Sequence, residues 1–201
     1  MKGICFTEPL FYAAVNGTKT QTRRIIKPQP QGCFVPIGQN TYQDGHYTNF
    51  KPKYQVGEKV YLKEPYRVHN CIYSYLAQDG KNICFAYTSM CNLDSCTVNL
   101  EFKTKKNMPQ CYAQHFIEIT AVRCERLQDI SDEDCLKEGI QEQQWIDGAD
   151  RDIFYVVRNM DCELCNTPQQ AYAALIDKIS GKGTFESNPY VWVYDFKLVK
   201  Y

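Results

Sequence analysis

Apolar and polar residues alternate along several short segments of the chain, and they take a helical spacing along only a few. Residues 190–199 form the clearest segment: both of its alternating faces are mostly apolar, which predicts a central strand buried on both sides. We expect further strands over residues 1–6, 57–65 and 115–126, with a strand leaving the first helix at residue 17. An Asp-Gly turn at residues 79–80 predicts a hairpin.

Three segments carry the pattern of a short helix. Each starts with a hydroxyl residue suited to the N-cap, followed by acidic residues or a proline in the first turn. Each ends at a glycine that permits the left-handed stop. The predicted helices follow Thr7, Ser131 and Thr167 and end near Gly17, Gly139 and Gly181.

Strands therefore predominate, with a few short helices between them. This pattern predicts an α+β fold, a small β-barrel with helical plugs, formed as a single domain over residues 1–201. Two polar stretches, residues 31–56 and 141–166, lack a sustained period, and we expect irregular loops or insertions there. A third insertion, near residues 89–113, is expected to extend the hairpin.

The charge balance excludes a whole-molecule attraction to nucleic acid, because 23 basic side chains are matched by 23 acidic ones. The distribution is uneven, and residues 1–70 hold ten Lys/Arg against four Asp/Glu. The chain has no apolar run of about 18 residues and no signal-peptide pattern at its start, so we expect a cytoplasmic protein with no membrane partner.

Eleven cysteines are scattered along the chain. An odd number without a dense framework is typical of a reducing compartment, and free thiols are the expectation. Cys91 with Cys96, and Cys162 with Cys165, have spacings close to those of zinc ligand pairs, so a structural zinc is the alternative. We predict no metal at the functional site and no cofactor.

Residues 17–25 combine three threonines with three cations directly after the first helix. In a strand, Thr20, Thr22 and Arg24 would share one face. The stretch predicts the floor of a site for an anionic or nucleobase-sized ligand.

Four blocks of the sequence resemble the ASCH domain, a member of the PUA-like superfamily. They cover residues 17–24, 57–64, 131–139 and 188–196, and they follow each other in the family order over nearly the whole chain. The likeness is greatest to the longer phage and bacterial members. The resemblance implies a PUA-like β-barrel with a few short helices and inserted loops, and a cleft beside the first helix.

The same resemblance implies a partner that is a nucleoside or RNA. A compact bacterial relative is an amidohydrolase that deacetylates the exocyclic amine of acetylated cytidine, and its catalytic residues correspond to Lys19, Thr22 and Glu138 of this chain. We therefore expect a PUA-like nucleoside-binding or RNA-binding domain, acting either as a small metal-free amidohydrolase or as a non-catalytic reader of RNA or modified bases.

The chemistry of these residues imposes a condition on the backbone. Lys19 and Thr22 are three positions apart, so a straight strand would hold them on opposite faces. A turn after Gly17 would bring them together. A lysine of lowered pKa could then activate the Thr22 hydroxyl or a water, and Glu138 could pass the proton to the leaving amine. The alternative is a solvated lysine, a β-forming threonine and an ordinary carboxylate at a helix end.

Six further residues are candidates for substrate binding, and each also has a structural interpretation. An arginine can hold a phosphate or pair with a carboxylate, a tryptophan can stack on a base or fill the core, and an asparagine can cap a turn. The candidates are Thr20, Arg23, Arg24, Glu64, Asn188 and Trp192.

Overall fold

The last strand, β12 (Tyr190–Val199), lies inside the largest sheet of the protein. It pairs antiparallel with β9 (Phe116–Arg126) on one side and with β2 (Gln21–Ile25) on the other. Residues 191–194 are all buried. The prediction of a central strand buried on both sides is confirmed.

The structure is a computed structural model that describes residues 1–38, 40–64, 66–69, 100–103, 106, 108–147, 150–157 and 165–199. The sheet also contains β6 (Lys59–Lys63), which pairs antiparallel with β9, and β1 (Lys2–Cys5), which runs parallel to β6. The strand order is β1, β6, β9, β12, β2, so β1 and β2 are the edges.

The two edge strands approach each other without pairing. The Nη2 atom of Arg24 in β2 donates a hydrogen bond of 2.7 Å to the carbonyl oxygen of Cys5, the last residue of β1. Among the described strands the sheet remains open and does not close into a barrel. The chain is a mixed α+β fold in which strands predominate over short helices.

The described residues form three α-helices, α1 (Glu8–Val15), α2 (Asp132–Lys137) and α3 (Pro168–Ser180). The hydroxyls of Ser131 and Thr167 accept hydrogen bonds from backbone N–H groups in the first turns of α2 and α3, as predicted. The prediction for Thr7 is wrong in one respect, because its hydroxyl makes no capping hydrogen bond to α1.

Helices α1 and α3 bury their apolar faces in the same core as the sheet. Leu10 and Ala14 of α1 and Leu175 of α3 pack with Ile119 of β9 and Val193 of β12 in one cluster. Removing these side chains from water is the main favourable contribution to folding. None of the described helices is long and apolar enough to cross a membrane.

The prediction of an irregular stretch over residues 31–56 is wrong in part, because a small three-stranded antiparallel sheet lies within it. Its strands are β3 (Val35–Gly38), β4 (Thr41–Gln43) and β5 (Asn49–Phe50). Aromatic rings attach this sheet to β12, since the Tyr42 ring lies 5.3 Å from that of Trp192. Aromatic packing, which needs no period in the sequence, orders this segment.

The prediction of an irregular insertion over residues 141–166 is also wrong for the part that the structure describes. A hairpin of β10 (Ile140–Asp147) and β11 (Asp150–Val157) occupies it. The hairpin is buried at its open end, at Ile140, Val156 and Val157, while residues 142–144 are exposed. The four consecutive polar residues 141–144 show no alternation of apolar and polar positions, so the sequence does not indicate a strand there.

Part of the chain lies outside the described residues. This part includes the predicted hairpin at residues 79–80 and three of the four cysteines of the zinc alternative. The fourth, Cys165, lies among the described residues, in an isolated β-bridge with Tyr155. Within the predicted insertion at 89–113, β8 (Leu100–Lys103) pairs antiparallel with β7 (Tyr66–His69).

Candidate functional site

A cavity of about 540 Å³ lies between the two edge strands of the sheet, the start of α1 and one face of α3. Its volume is within the range of small-molecule sites. Both polar and apolar side chains line it. The charged, hydroxyl-bearing and aromatic residues of the lining include Phe6, Thr7, Lys19, Thr22, Arg23, Arg24, Lys27, Glu138 and Tyr172.

The chain turns before Lys19, which satisfies the condition set by the sequence. Gly17 has a φ of 77°, in the left-handed region, and the Lys19 N–H donates to the carbonyl oxygen of Ala13 at 2.9 Å. Strand β2 begins only at Gln21, so Lys19 precedes the alternation of the strand. Lys19 and Thr22 consequently line the same cavity.

Helix α2 positions Glu138 in the wall of the same cavity. The helix ends at Lys137, whose carbonyl oxygen accepts a hydrogen bond of 2.9 Å from the N–H of Thr20. This backbone contact fixes the end of α2 beside the residue that follows Lys19. Gly139 then leaves the helix with a φ of 103°. Glu138 is 4% exposed and lines the cavity.

Lys19 and Glu138 form a buried ion pair. The Nζ atom of Lys19 lies 2.5 Å from Oε2 of Glu138 and 2.7 Å from its carbonyl oxygen, and only 1% of Lys19 is exposed. Burial lowers the pKa of Lys19, although the charge of Glu138 opposes that shift. The ammonium of Lys19 is therefore easier to deprotonate than that of a surface lysine.

Arg23 holds the other carboxylate oxygen of Glu138. Its Nη1 lies 3.4 Å from Glu138 Oε1, and its Nη2 lies 2.5 Å from Glu125 Oε1 and 2.9 Å from Asp134 Oδ2. Burial opposes the charge of Arg23, but the carboxylates, Glu138 foremost, raise its pKa. Arg123 binds Glu125 and Asp134 from the solvent side. The carboxylate of Glu138 therefore forms ion pairs with both Lys19 and Arg23.

Arg24 faces the cavity at its other side. Its guanidinium carbon lies 5.4 Å from the centre of the Phe6 ring, and the Lys19 Nζ lies at the same distance from that ring. Both cations are therefore within range of cation–π attraction to the same ring, which offsets part of the cost of placing them close together. Arg23 and Arg24 both contribute to lowering the pKa of Lys19.

Tyr172 and Thr7 line the cavity but were not identified from the sequence as site residues. The Tyr172 side chain is fully buried, and among the described residues neither its hydroxyl nor that of Thr7 has a hydrogen-bond partner. Burial raises the pKa of Tyr172 well above its usual value, so the hydroxyl keeps its proton. The only sequence indication was the helix start assigned to Thr7.

Four predicted substrate-binding residues lie outside the lining of this cavity. Thr20 bonds through its backbone, and Trp192 is packed in the core beside Tyr42. The carboxylate of Glu64 lies 3.8 Å from His115 and pairs with neither Arg23 nor Arg24. The Asn188 side chain accepts a hydrogen bond from the backbone of Gln128. Their placement favours the structural interpretation of each.

The described residues contain no group of three or more His, Cys, Asp and Glu side chains placed to hold a metal ion. Comparisons of the chain with models of known protein families, with curated proteins and with solved structures gave no match. The function of the site is therefore inferred from its geometry and from the sequence resemblance.

Proposed function

We propose that the protein is a PUA-like, ASCH-type domain whose cavity binds an acylated nucleoside of the cytidine type and hydrolyses its amide bond. One observation carries this proposal: a buried Lys19–Glu138 pair and Thr22 line a single cavity. A lysine whose charge is disfavoured by burial, in the same cavity as a hydroxyl, is the arrangement that can activate a nucleophile.

The reaction follows from these three groups. Burial lowers the pKa of Lys19, which makes its neutral amine accessible. This amine accepts the proton of the Thr22 hydroxyl as the Thr22 oxygen bonds to the amide carbonyl carbon. The carbon–nitrogen bond then breaks, and Glu138 passes the proton from Lys19 to the leaving exocyclic amine. Water hydrolyses the resulting threonine ester and releases the carboxylic acid. The 2.5 Å separation of Nζ and Oε2 permits direct proton transfer between them.

The approach of the two edge strands supports the PUA-like assignment. A pseudo-barrel requires the edges of a curved sheet to face each other, and here Arg24 of β2 bonds directly to the end of β1. The cavity lies at this junction.

The second candidate is a non-catalytic reader of RNA or modified bases. It is favoured by charge, because four cations line the cavity against one carboxylate; they are Lys19, Arg23, Arg24 and Lys27. A phosphate beside the cavity would satisfy Arg24 and Lys27. Recognition of RNA phosphates makes affinity fall steeply with salt, whereas binding of a neutral nucleoside does not.

The test is release of acetate from cytidine acetylated on its exocyclic amine. We expect turnover by the wild-type protein, loss of at least a hundredfold in Lys19→Met and Thr22→Ala, and partial activity in Thr22→Ser. Thr20→Ala is the matched control, because Thr20 lies outside the cavity lining and its backbone hydrogen bonds are kept in the variant. Equal turnover in Thr22→Ala and Thr20→Ala would contradict the proposal. Absence of turnover together with salt-steep RNA binding would establish the reader instead.

A further inference from the structure

The cavity contains two hydroxyl groups that the proposed reaction does not use. They belong to Tyr172 on α3 and Thr7 at the start of α1, and both residues line the cavity. Both oxygen atoms are buried and have no hydrogen-bond partner among the described residues. Folded proteins rarely leave such groups unpaired, because a buried hydroxyl without a partner has lost its hydrogen bonds to water without replacement.

Neighbouring protein groups do not account for either hydroxyl. Thr7 occupies the N-cap of α1, where a threonine side chain normally accepts a backbone N–H, yet it makes no such bond. Tyr172 lies close to charged groups: the Arg23 guanidinium is 5.9 Å from its ring centre, and the charge of Glu138 acts on its hydroxyl. Tyr172 nevertheless bonds to neither of them.

We infer that the Tyr172 and Thr7 hydroxyls are ligand-binding groups, which a small shift of the surrounding side chains on binding exposes to polar atoms of the molecule that occupies the cavity. This inference rests on the proposed nucleoside substrate. As a buried neutral phenol, Tyr172 donates to an acceptor, such as a carbonyl oxygen or ring nitrogen of a pyrimidine. The Thr7 hydroxyl can donate or accept. A ligand that carries donors and acceptors on its edge satisfies both, and an apolar ligand satisfies neither.

The inference predicts opposite effects on stability and on binding. Tyr172→Phe and Thr7→Val keep the shape of each side chain but remove an oxygen that has no partner in the free protein. Their thermal unfolding midpoints should equal or exceed that of the unsubstituted protein. Tyr61→Phe is the matched control, because the Tyr61 hydroxyl donates to the carbonyl oxygen of Met108 at 3.0 Å and its loss should lower the midpoint.

Binding is measured by calorimetry with acetylated cytidine, in the Thr22→Ala background so that the ligand is not consumed. Adding Tyr172→Phe or Thr7→Val should weaken affinity about tenfold each, the effect of losing one hydrogen bond. Adding Tyr61→Phe should leave affinity unchanged.

Three results would overturn the inference: a midpoint lowered as far as in Tyr61→Phe, an affinity unchanged by Tyr172→Phe, or no binding of the nucleoside at all. Failure of the proposed function gives a different pattern. In that case the nucleoside binds and depends on Tyr172, but the wild-type protein releases no acetate.

Discussion

The Nζ atom of Lys19 lies 2.5 Å from Oε2 of Glu138, although 119 positions separate the two residues in the sequence. Both side chains are almost completely buried, with 1% and 5% of their surface exposed. A buried pair of this kind is costly to break, since the remaining charge has no water to solvate it. Its position in the wall of a cavity gives it a chemical use as well as a structural one.

The first prediction concerns the stability of this pair. Lys19→Met and Glu138→Gln should each lower the free energy of unfolding by about 3–5 kcal/mol, because each leaves the partner buried without its counter-charge. The double variant should lose clearly less than the sum. Urea denaturation measures all three. Lys2→Met, which breaks the exposed pair with Glu58, is the control and should cost less than about 1 kcal/mol. Strict additivity of the two buried substitutions would contradict the coupling.

The second prediction is a pH dependence of stability. The folded-state pKa of Lys19 is lowered from 10.5, so between these two values the unfolded chain binds more protons than the folded one. Stability due to Lys19 is therefore full above pH 10.5 and is lost as the pH falls through the lowered pKa. The free energy of unfolding of the wild-type protein, compared with Lys19→Met at each pH, should rise towards alkaline pH. A difference that does not vary with pH would disprove an altered pKa.

The third prediction distinguishes two arginines that share partners. Arg23 and Arg123 both bind Glu125 and Asp134, but 1% of the Arg23 side chain is exposed against 38% of Arg123. Arg23→Met should destabilise the protein by about 3–5 kcal/mol, and Arg123→Met by about 1 kcal/mol or less because solvent screens it. Raising salt to 1 M should shrink only the Arg123 effect. Similar losses at both positions would contradict the distinction.

The fourth prediction concerns the glycine after Glu138. Gly139 has a φ of 103°, and a Cβ there would come 3.2 Å from Cδ2 of Leu10 and 3.6 Å from Cβ of Lys19. Gly139→Ala should therefore lower stability by about 1–3 kcal/mol through backbone strain and should also reduce turnover by moving Glu138. Gly17→Ala is the control: Gly17 also has a positive φ, but a Cβ would meet no atom within 4 Å. Its substitution should cost only the left-handed penalty of about 1–2 kcal/mol.

The sequence correctly predicted the elements that depend on interactions between residues close together in the chain. The hydroxyl caps of α2 and α3 and the stop at Gly17 depend on hydrogen bonds and dihedral angles within a few residues. The apolar faces of β12 likewise show directly in the order of residues. The sheet of β3 to β5 was missed because aromatic contacts with distant rings hold it. The hairpin of β10 and β11 was missed because β10 contains a run of polar residues without alternation.

The candidate site likewise combines features that the sequence shows with features that only tertiary packing produces. The sequence alone shows a cation-rich and threonine-rich stretch after a helix stop, and the resemblance identified Lys19, Thr22 and Glu138 within the whole chain. Which side chains face one cavity depends on how the helices and strands pack. The hydrogen bond from Thr20 to Lys137 sets the end of α2 against the start of β2, and it brings Glu138 to Lys19.

The role of Tyr172 in the cavity could not be predicted from the sequence for the same reason. On α3 it has the pattern of an ordinary core residue, and only the packing of α3 over the cavity leaves its hydroxyl without a partner. Hydrogen-bond caps and side-chain periods act over one or two turns of chain, so sequence order records them. The burial of a charge or a hydroxyl depends on which distant elements surround it, and that is fixed only when the elements pack together.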